Sequence, residues 1–325
     1  MFSPVKAIGS VAACMALLLT GPAALAQSSY PSKTITLVLP FAAGSGTDTT
    51  TRLIAAKLSG ALGQSVVVDN KPGANGMLAA TFVARAAPDG YTLFVTTNTT
   101  HSANPSLMKQ LTYDPVKDFT PIARTGNLPF FLVVNPELPA KTVQELTTYA
   151  KANPGKLTYG SGSSGAIVMG APYARRAGLD MLHVPYKSSP PALADVMGGR
   201  VNMMFVDIPT GLPLVNAGKL RALAVTTRER SAIIPDLPSM QEAGVPDFDI
   251  TSWQGWFGPA NMPKDVVTKL NAAIRAVIDD PDIKKQLAER GMDAFSGTPE
   301  QLGKFVDEQL VLWTRLIKDA GIEPE

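Results

Sequence analysis

Residues 40–48 of the chain read PFAAGSGTD and lie between an apolar run, Thr34–Leu39, and a segment with helical spacing of leucine and isoleucine. This order predicts a strand, a glycine-containing turn and a helix that begins in the turn. Several backbone N–H groups of such a turn point at one place, where the helix dipole adds positive potential. The turn can therefore bind a carboxylate or phosphate without lysine or arginine. An ordinary turn in which Thr47 caps the helix fits the same pattern.

The first 26 residues have the composition of a secretion signal that is cleaved from the chain. Lys6 gives a positive start, residues 7–20 are apolar, and residues 24–26 form a small-residue cleavage site before Gln27. The apolar run is too short for a stable membrane span. A lipoprotein signal at Cys14 is the alternative, but cleavage there would leave an apolar stretch where a polar tether is expected. We therefore predict that the chain is secreted through a cleavable signal peptide.

The composition excludes several classes of site. Cys14 is the single cysteine and leaves with the signal, so the mature chain has no disulfide, thiol nucleophile or thiolate metal site. His101 and His183 are the two histidines, which excludes a multi-histidine metal site. The formal net charge is +2 and the basic residues are scattered, so neither nucleic acid nor an anionic membrane surface is expected as a partner. We expect a monomer without a cofactor or a metal ion.

Strand-like and helix-like segments alternate along most of the chain, which predicts an α/β fold of parallel sheets with helices on both faces. The predicted strands are Thr34–Leu39, Ser65–Asp69, Tyr91–Thr96, Phe130–Val134, Lys156–Tyr159, Leu182–Pro185, Val201–Val206 and Leu220–Thr226. The predicted helices between them are Asp48–Leu62, Asn75–Ala87, Thr142–Ala152, Ala166–Ala177 and Pro191–Met197. The last part of the chain predicts three more helices, Lys264–Asp279, Asp282–Arg290 and Pro299–Ala320.

The chain is long enough for two domains, and two places look like crossings between them. The strand and helix pattern starts again near Pro129, and aromatic residues concentrate in Asp249–Gly258 before two prolines. We expect Trp253, Trp256 and Phe257 there to pack in a core or between domains. The first domain is then discontinuous, with residues 27–128 and 250–325. The second domain is 129–249, and 1–26 is the signal peptide.

A second glycine-containing turn, GSGSSG at residues 160–165, follows a predicted strand and precedes a predicted helix. It matches the dinucleotide-binding fingerprint G-x-G-x-x-G. A nicotinamide site also needs an acidic residue at the end of the next strand, where this chain has Lys187, Ser188 and Ser189. The pattern therefore favours a second anion-binding turn over a cofactor site.

Several titratable residues are candidates for a chemical or binding role. His101 lies in a polar stretch and is interpreted as a surface residue, and His183 lies inside a strand and is interpreted as a core residue. A secreted hydrolase that uses one of them is the alternative function, although the chain contains no G-x-S-x-G elbow. Asp207 ends an apolar strand and either caps the next helix or faces a ligand pocket, and we favour the pocket. Asp48 and Arg52, four residues apart, are expected to form a solvated pair.

The order and spacing of several segments resemble the Bug-type extracytoplasmic solute receptors of tripartite tricarboxylate transporters. The matching segments are VLPF at 38–41 with the glycine turn and Asp48, VVVDNKPGANG at 66–76, PDGYTL at 88–93, HVPYK at 183–187, LRALAVT at 220–226 and EAG at 242–244. The resemblance runs through the whole mature length and implies a two-domain periplasmic binding protein fold, type II-like and hinged, with the ligand cleft between the domains.

The resemblance also implies a function without catalysis. Such a protein captures a small carboxylate in the periplasm and delivers it to the membrane permease subunits of a tripartite tricarboxylate transporter. A receptor that signals to a membrane partner without transport is a further alternative. In this family the carboxylate is held by the turn after the first strand and by the Gly/Ser turn of the second domain, partly through ordered water. The ligand-binding residues expected here are Phe41, Ala43, Gly44, Ser45, Gly46, Thr47, Asp48, Asn98, Ser161, Gly162, Ser163, Ser164, Gly165, Ala166 and Asp207.

The chain departs from the family pattern in both turns. Residues 43–45 are Ala-Gly-Ser where the family commonly has Pro-Gly-Gly, and residues 166–169 are apolar where threonine, serine and histidine are common. Polar groups that could contact a ligand are thus replaced by apolar ones. The departures disfavour a citrate-like ligand and favour a monocarboxylate, an aromatic carboxylate or a dicarboxylate with an apolar middle.

Overall fold

The computed structural model describes residues 30–246 and 248–324, so the predicted signal peptide and Cys14 lie outside the described residues. The chain forms a curled sheet covered by helices. The strands are β1 (Ile35–Leu39), β2 (Val66–Asn70), β3 (Thr92–Thr97), β4 (Phe119–Val134), β5 (Leu157–Ser161), β6 (Met181–Pro185), β7 (Met203–Asp207), β8 (Arg221–Val225), β9 (Thr251–Pro259) and β10 (Asp293–Ala294). The helices are α1 (Gly46–Leu62), α2 (Met77–Ala84), α3 (Asn104–Leu107), α4 (Val143–Ala152), α5 (Ser164–Arg176), α6 (Ser189–Met197), α7 (Ile208–Asn216), α8 (Lys264–Asp279), α9 (Pro281–Glu289) and α10 (Pro299–Asp319).

The strand order along the sheet is β2-β1-β3-β9-β4-β7-β5-β6, and β8 and β10 pair with β4. The prediction of parallel pairing is correct at the two ends of this order, where β1 pairs with β2 and β3, and β5 pairs with β6 and β7. It is wrong in the middle. There, β9 is antiparallel to β3 and β4, and β4 is antiparallel to β7 and β8. The sheet is therefore mixed, with parallel α/β units on either side of an antiparallel centre.

The long strand β4 belongs to both ends of the sheet. Its residues from Phe119 to Pro129 pair with β9, and its residues from Phe130 to Val134 pair with β7 and β8. A second connection lies beside it, where the Thr226 hydroxyl donates to the Ile250 carbonyl at 2.7 Å. We call the part with β1, β2, β3, β9 and β10 the first half and the part with β5, β6, β7 and β8 the second half.

The segment around the tryptophans forms the central strand β9, which the sequence pattern did not predict. The indole rings of Trp253 and Trp256 are 1% and 0% exposed, in agreement with the expectation that they pack in a core. Because β9 is covered on both faces, its polar and apolar residues do not alternate as they do in a half-exposed strand. The predicted domain crossing near this segment remains a prediction.

Helices cover the sheet with one apolar face each. Helix α8 buries Leu270, Ile274 and Ile278, which lie four residues apart on one side and pack against the core below β1 and β3. Complete burial of each such side chain contributes about 1.5–3 kcal/mol to folding. The end of α10 packs on the second half instead, since Trp313 and Ile317 join the core that contains Phe205. In the part of the chain that the structure describes, no helix is both long and apolar enough to cross a membrane.

Candidate functional site

The carboxyl ends of β1, β5 and β7 lie at the same place as the N-termini of four helices. A cavity of about 20 Å³ lies there between the two halves of the molecule. Its wall contains the N-terminal caps or first-turn residues of α1, α5, α6 and α7. The lining residues are Phe41, Ser45, Thr47, Thr97, Leu128, Phe130, Ser163, Ser189, Asp207 and Ser252.

The first turn (Phe41–Asp48) is held in shape by the carboxylate of Asp48. This carboxylate accepts hydrogen bonds from the Gly44 N–H at 3.0 Å, from Arg52 Nε at 3.0 Å and from Asn70 Nδ2 at 2.9 Å. Burial raises the pKa of Asp48, but the hydrogen bonds from Arg52, Gly44 and Asn70 outweigh it and the pKa is lowered overall. The expected solvated pair is therefore wrong for Asp48, whose side chain is 4% exposed.

The second turn (Ser161–Ala166) has no charged group of its own and is shaped by packing. Ser163 caps α5 by accepting a hydrogen bond from the Ala166 N–H at 3.4 Å. A Cβ atom at Gly162 would overlap the backbone of Ser188 and Ser189, and one at Gly165 would lie 2.8 Å from the Phe130 ring. Glycine is thus required at both positions by close approach.

Three hydrogen bonds join the two halves beside the cavity. The Ala42 N–H donates to Ser188 Oγ at 3.1 Å, and the Gly46 N–H donates to Thr210 Oγ1 at 2.6 Å. Asn75 Nδ2 donates to Ser164 Oγ at 3.1 Å. The halves are therefore in contact on both sides of the cavity.

Asp207 ends β7, and its contact with a ligand remains a prediction. It caps α7, because its Oδ1 accepts from the Thr210 N–H at 3.0 Å, and it also lines the cavity. Burial raises the pKa of its carboxyl group, and the lining contains no arginine, lysine or histidine to offset this. A Cβ atom at Gly46 would overlap this carboxylate, so the first turn and Asp207 meet directly across the cavity.

The predicted residues occupy three kinds of position. Phe41, Ser45, Thr47, Ser163 and Asp207 line the cavity. Those that lie beside it and shape the two turns are Gly46, Asp48, Ser161, Gly162, Ser164, Gly165 and Ala166, all of which are buried. Ala43 and Gly44 are exposed, and Asn98 lies behind the lining, where its Oδ1 accepts a hydrogen bond from the Ser252 hydroxyl.

Sequence reasoning missed half of the lining. Thr97 and Ser252 come from the ends of β3 and β9, Leu128 and Phe130 from the middle of β4, and Ser189 from the start of α6. Ser252 belongs to a strand that was not predicted, Leu128 lies in the part of β4 before its predicted start, and Thr97 lies one residue beyond the predicted end of β3. A usable signal existed for Ser189 only, because the Ser188-Ser189 pair follows a predicted strand in the same way as the two glycine-containing turns.

Both histidine predictions are wrong. His101 is fully buried in a π-helical turn, Thr99–Ala103, where its ring stacks on Phe257 at 4.0 Å and burial lowers its pKa to about 3. His183 is exposed, and its ring stacks on Tyr159 at 4.8 Å. Its Nε2 lies 2.6 Å from Ser161 Oγ, and Ser161 is 2% exposed. Among the described residues, no group of three or more His, Asp or Glu side chains is placed to hold a metal ion.

Residues 50–322 match the protein family described as Tripartite tricarboxylate transporter family receptor. The chain belongs to this family. The receptor is therefore a solute-binding protein, and the resemblance to Bug-type receptors is confirmed.

Solved structures of similar proteins give the receptor the two-domain fold of periplasmic binding proteins, as the resemblance implied. The structure of an R. palustris protein with adipate is 36% identical, with a TM-score of 0.89, and the match covers 91% of this chain and 100% of that chain. The periplasmic binding protein BugD is 34% identical, with a TM-score of 0.87 and coverage of 91% and 100%. MatC from Rhodopseudomonas palustris with bound malate is 34% identical, with a TM-score of 0.82 and coverage of 89% and 100%.

Proposed function

We propose that the receptor captures a small organic carboxylate in the cavity between its two halves and delivers it to the membrane permease subunits of a tripartite tricarboxylate transporter. It does this as a periplasmic monomer without catalytic activity, after removal of the signal peptide. The family assignment and the neighbours with adipate and malate support this function. In this proposal the two domains are residues 27–128 with 250–325, and 129–249.

The observation that carries the proposal is the convergence of helix N-termini on a cavity whose lining contains no cationic side chain. The first N–H groups of a helix have no partner within the helix, and the dipole makes the same end positive. Such an end stabilises a nearby negative charge by about 0.3–1 kcal/mol at an exposed site and by up to about 2 kcal/mol where it is partly buried. Several ends acting together can hold a carboxylate that is removed from water.

The size of the cavity requires the two halves to move. A volume of about 20 Å³ has room for roughly one water molecule. An organic acid can enter only if the hydrogen bonds from Ala42 and Gly46 to the second half open first. A ligand that contacts both turns then favours an arrangement in which the halves close around it, by its differential affinity for that arrangement.

The wall chemistry favours a ligand with an apolar body. Phe41, Leu128 and Phe130 line one part of the cavity, while serine and threonine hydroxyls line the rest. A compact tricarboxylate would place charge against the aromatic rings and against the buried carboxyl group of Asp207. A dicarboxylate with a methylene chain, or a monocarboxylate with an apolar tail, places no charge against the aromatic rings or against Asp207.

Isothermal titration calorimetry of the mature chain against adipate, malate, benzoate and citrate tests this function. We expect at least one of the first three acids to bind, and citrate to bind at least about tenfold more weakly than the best of them, a difference of about 1.4 kcal/mol. The absence of binding to all four acids would contradict the proposed function. Preferential binding of citrate would contradict the predicted ligand class alone.

A further inference from the structure

Four consecutive residues between β2 and α2 have a left-handed backbone. Their φ angles are +132° at Gly73, +46° at Ala74, +48° at Asn75 and +82° at Gly76. A residue with a Cβ atom loses roughly 1–2 kcal/mol in the left-handed helical region, although Asn tolerates it better than most residues. The segment also lies within residues 66–76, which carry part of the family resemblance, but it belongs to neither of the two turns. Backbone strain of this kind is maintained only where surrounding contacts fix it.

The contacts that fix this segment are made by side-chain amides. Asn104, which is fully buried, donates from Nδ2 to the Asn75 carbonyl at 2.9 Å, and Asn75 Nδ2 donates to Asn104 Oδ1 at 2.8 Å. The other proton of Asn75 Nδ2 points to Ser164 Oγ at 3.1 Å. A Cβ atom at Gly76 would lie 2.7 Å from a methyl group of Thr100, so the segment is also pressed against the chain after β3.

The hydrogen bond from Asn75 to Ser164 connects the two halves of the molecule. Ser164 is the first residue of α5 and belongs to the second turn, whereas Asn75 belongs to the first half of the molecule. Ser164 is fully buried and Asn75 is partly buried, so this hydrogen bond is partly removed from water. We propose that Asn75 is a positioning residue that holds the N-terminus of α5 in its ligand-binding place when the two halves close. The inference rests on the proposed function of the cavity.

The chemistry of this position calls for asparagine. Its amide has two N–H donors, which here serve two acceptors, Asn104 and Ser164. An aspartate could adopt the same backbone, but its carboxylate would lie at the positive end of α5 and compete electrostatically with a bound carboxylate. A glycine would keep the backbone and remove both hydrogen bonds of the amide, whereas Ser164→Ala removes the hydrogen bond to Ser164 alone.

A double-mutant cycle on adipate binding tests the inference. We expect Asn75→Gly to weaken adipate binding by about three- to tenfold, mainly through faster dissociation, and to leave the melting temperature without ligand within about 2 °C of the wild type. Ser164→Ala should weaken binding similarly, and the double variant should be no weaker than the stronger single variant. Asn75→Asp should weaken binding more than Asn75→Gly does. If the fold-loss of adipate affinity in the double variant equals the product of the two single-variant losses, the inference would be overturned.

A second measurement does not depend on the ligand. Lys57→Cys on α1 and Lys187→Cys after β6 place one exposed label on each half, and no other cysteine follows residue 14. We expect Asn75→Gly to lengthen the distance between spin labels at these sites in the absence of adipate. If the wild type does not bind adipate, the proposed function fails for that acid while the distance still tests Asn75. Equal distances in the wild type and in Asn75→Gly would overturn the role of Asn75.

Discussion

The first turn and the second turn lie on opposite sides of one cavity but are stabilised differently. The first turn is fixed within its own half by a buried carboxylate, since Asp48 accepts hydrogen bonds from Arg52, Asn70 and the backbone. The second turn has no ionic contact of this kind. It depends on close packing of its glycines and on a hydrogen bond that Asn75 donates from the other half.

This difference has a consequence for closure. The contacts of the first turn with Arg52 and Asn70 do not involve the second half, so they persist when the halves separate. The contact of Asn75 with Ser164 exists only while the halves touch. We therefore expect the first turn to be preformed and the second turn to reach its final position as the cleft closes, which links ligand affinity to the closed state.

The largest expected effects come from valine substitutions at Gly46 and Gly162. The new side chains would clash with different parts of the molecule. Gly162→Val places its side chain on the backbone of Ser188 and Ser189 in the same half, so we expect a loss of both adipate binding and thermal stability. Gly46→Val places it on the Asp207 carboxylate of the other half, so closure fails while each half still folds. We expect Gly46→Val to weaken binding by about 100-fold or more, about 2.7 kcal/mol, with a nearly unchanged melting temperature.

Calorimetry and thermal unfolding of both variants check this contrast. Gly60→Val is the matched control, because a Cβ atom at Gly60 on α1 has no neighbour within 4 Å. If the melting temperature falls equally in Gly46→Val and Gly162→Val, the two clashes have the same effect on folding. This result would contradict the expectation that the Gly46→Val clash affects closure alone.

Much of the fold was predictable because the spacing of apolar residues in the sequence matches the face of each helix that is buried in the structure. The predicted helix Lys264–Asp279 is observed with the same bounds, since one apolar face packs on the sheet and the other faces water. The antiparallel centre was not predictable in this way. Gln254, Gly255 and Gly258 interrupt β9, and both faces of the strand are buried, so neither alternation nor a continuous apolar run marks it.

The parts of the candidate site that come from one local stretch of the chain were predictable from the sequence. Contacts between side chains that are far apart in the sequence were not. The two glycine-containing turns follow from strand, turn and helix signals, and both lie at the cavity. Asn75 and Ser164 are 89 residues apart, and no local pattern links them. The polar run around His101 looks like a surface loop, but it is buried because Phe119 and Phe257 pack on the imidazole ring.

An intermediate effect is expected for the carboxylate that fixes the first turn. Asp48→Asn should lower the free energy of unfolding by about 1–3 kcal/mol at pH 7, because hydrogen bonds to a charged group are lost or weakened. The pKa of Asp48 is lowered in the folded state, so the stability it provides is present above the ordinary aspartate pKa of 3.8 and is lost as the pH falls below it. The difference between wild type and variant should therefore shrink below pH 3.8.

Urea unfolding between pH 3 and 7 measures this difference, with Asp69→Asn as the control, since Asp69 is an exposed carboxylate paired with Lys71. Adipate affinity should change by no more than about threefold, because Asp48 shapes the turn from behind. A large loss of affinity without loss of stability would show that Asp48 contacts the ligand directly, and the two turns would then differ less than proposed.

The smallest expected effect concerns Asp207, which the first turn approaches across the cavity. Burial raises the pKa of this carboxyl group, so it takes up a proton at a higher pH than an exposed aspartate, and the other lining residues do not titrate. An anionic ligand is repelled by the ionised form, so the adipate affinity of the wild type relative to that of Asp207→Asn should rise as the pH falls towards the raised pKa of Asp207. Asp207→Asn removes the charge and keeps an acceptor for Thr210, so its affinity should be about threefold higher at pH 7 and should change with pH only through protonation of adipate itself. Asp236→Asn, an exposed change, is the control in the same calorimetric series. A tenfold weaker affinity of Asp207→Asn would instead mean that the ionised carboxylate accepts a hydrogen bond from the ligand, which would make the second half a direct source of charge recognition.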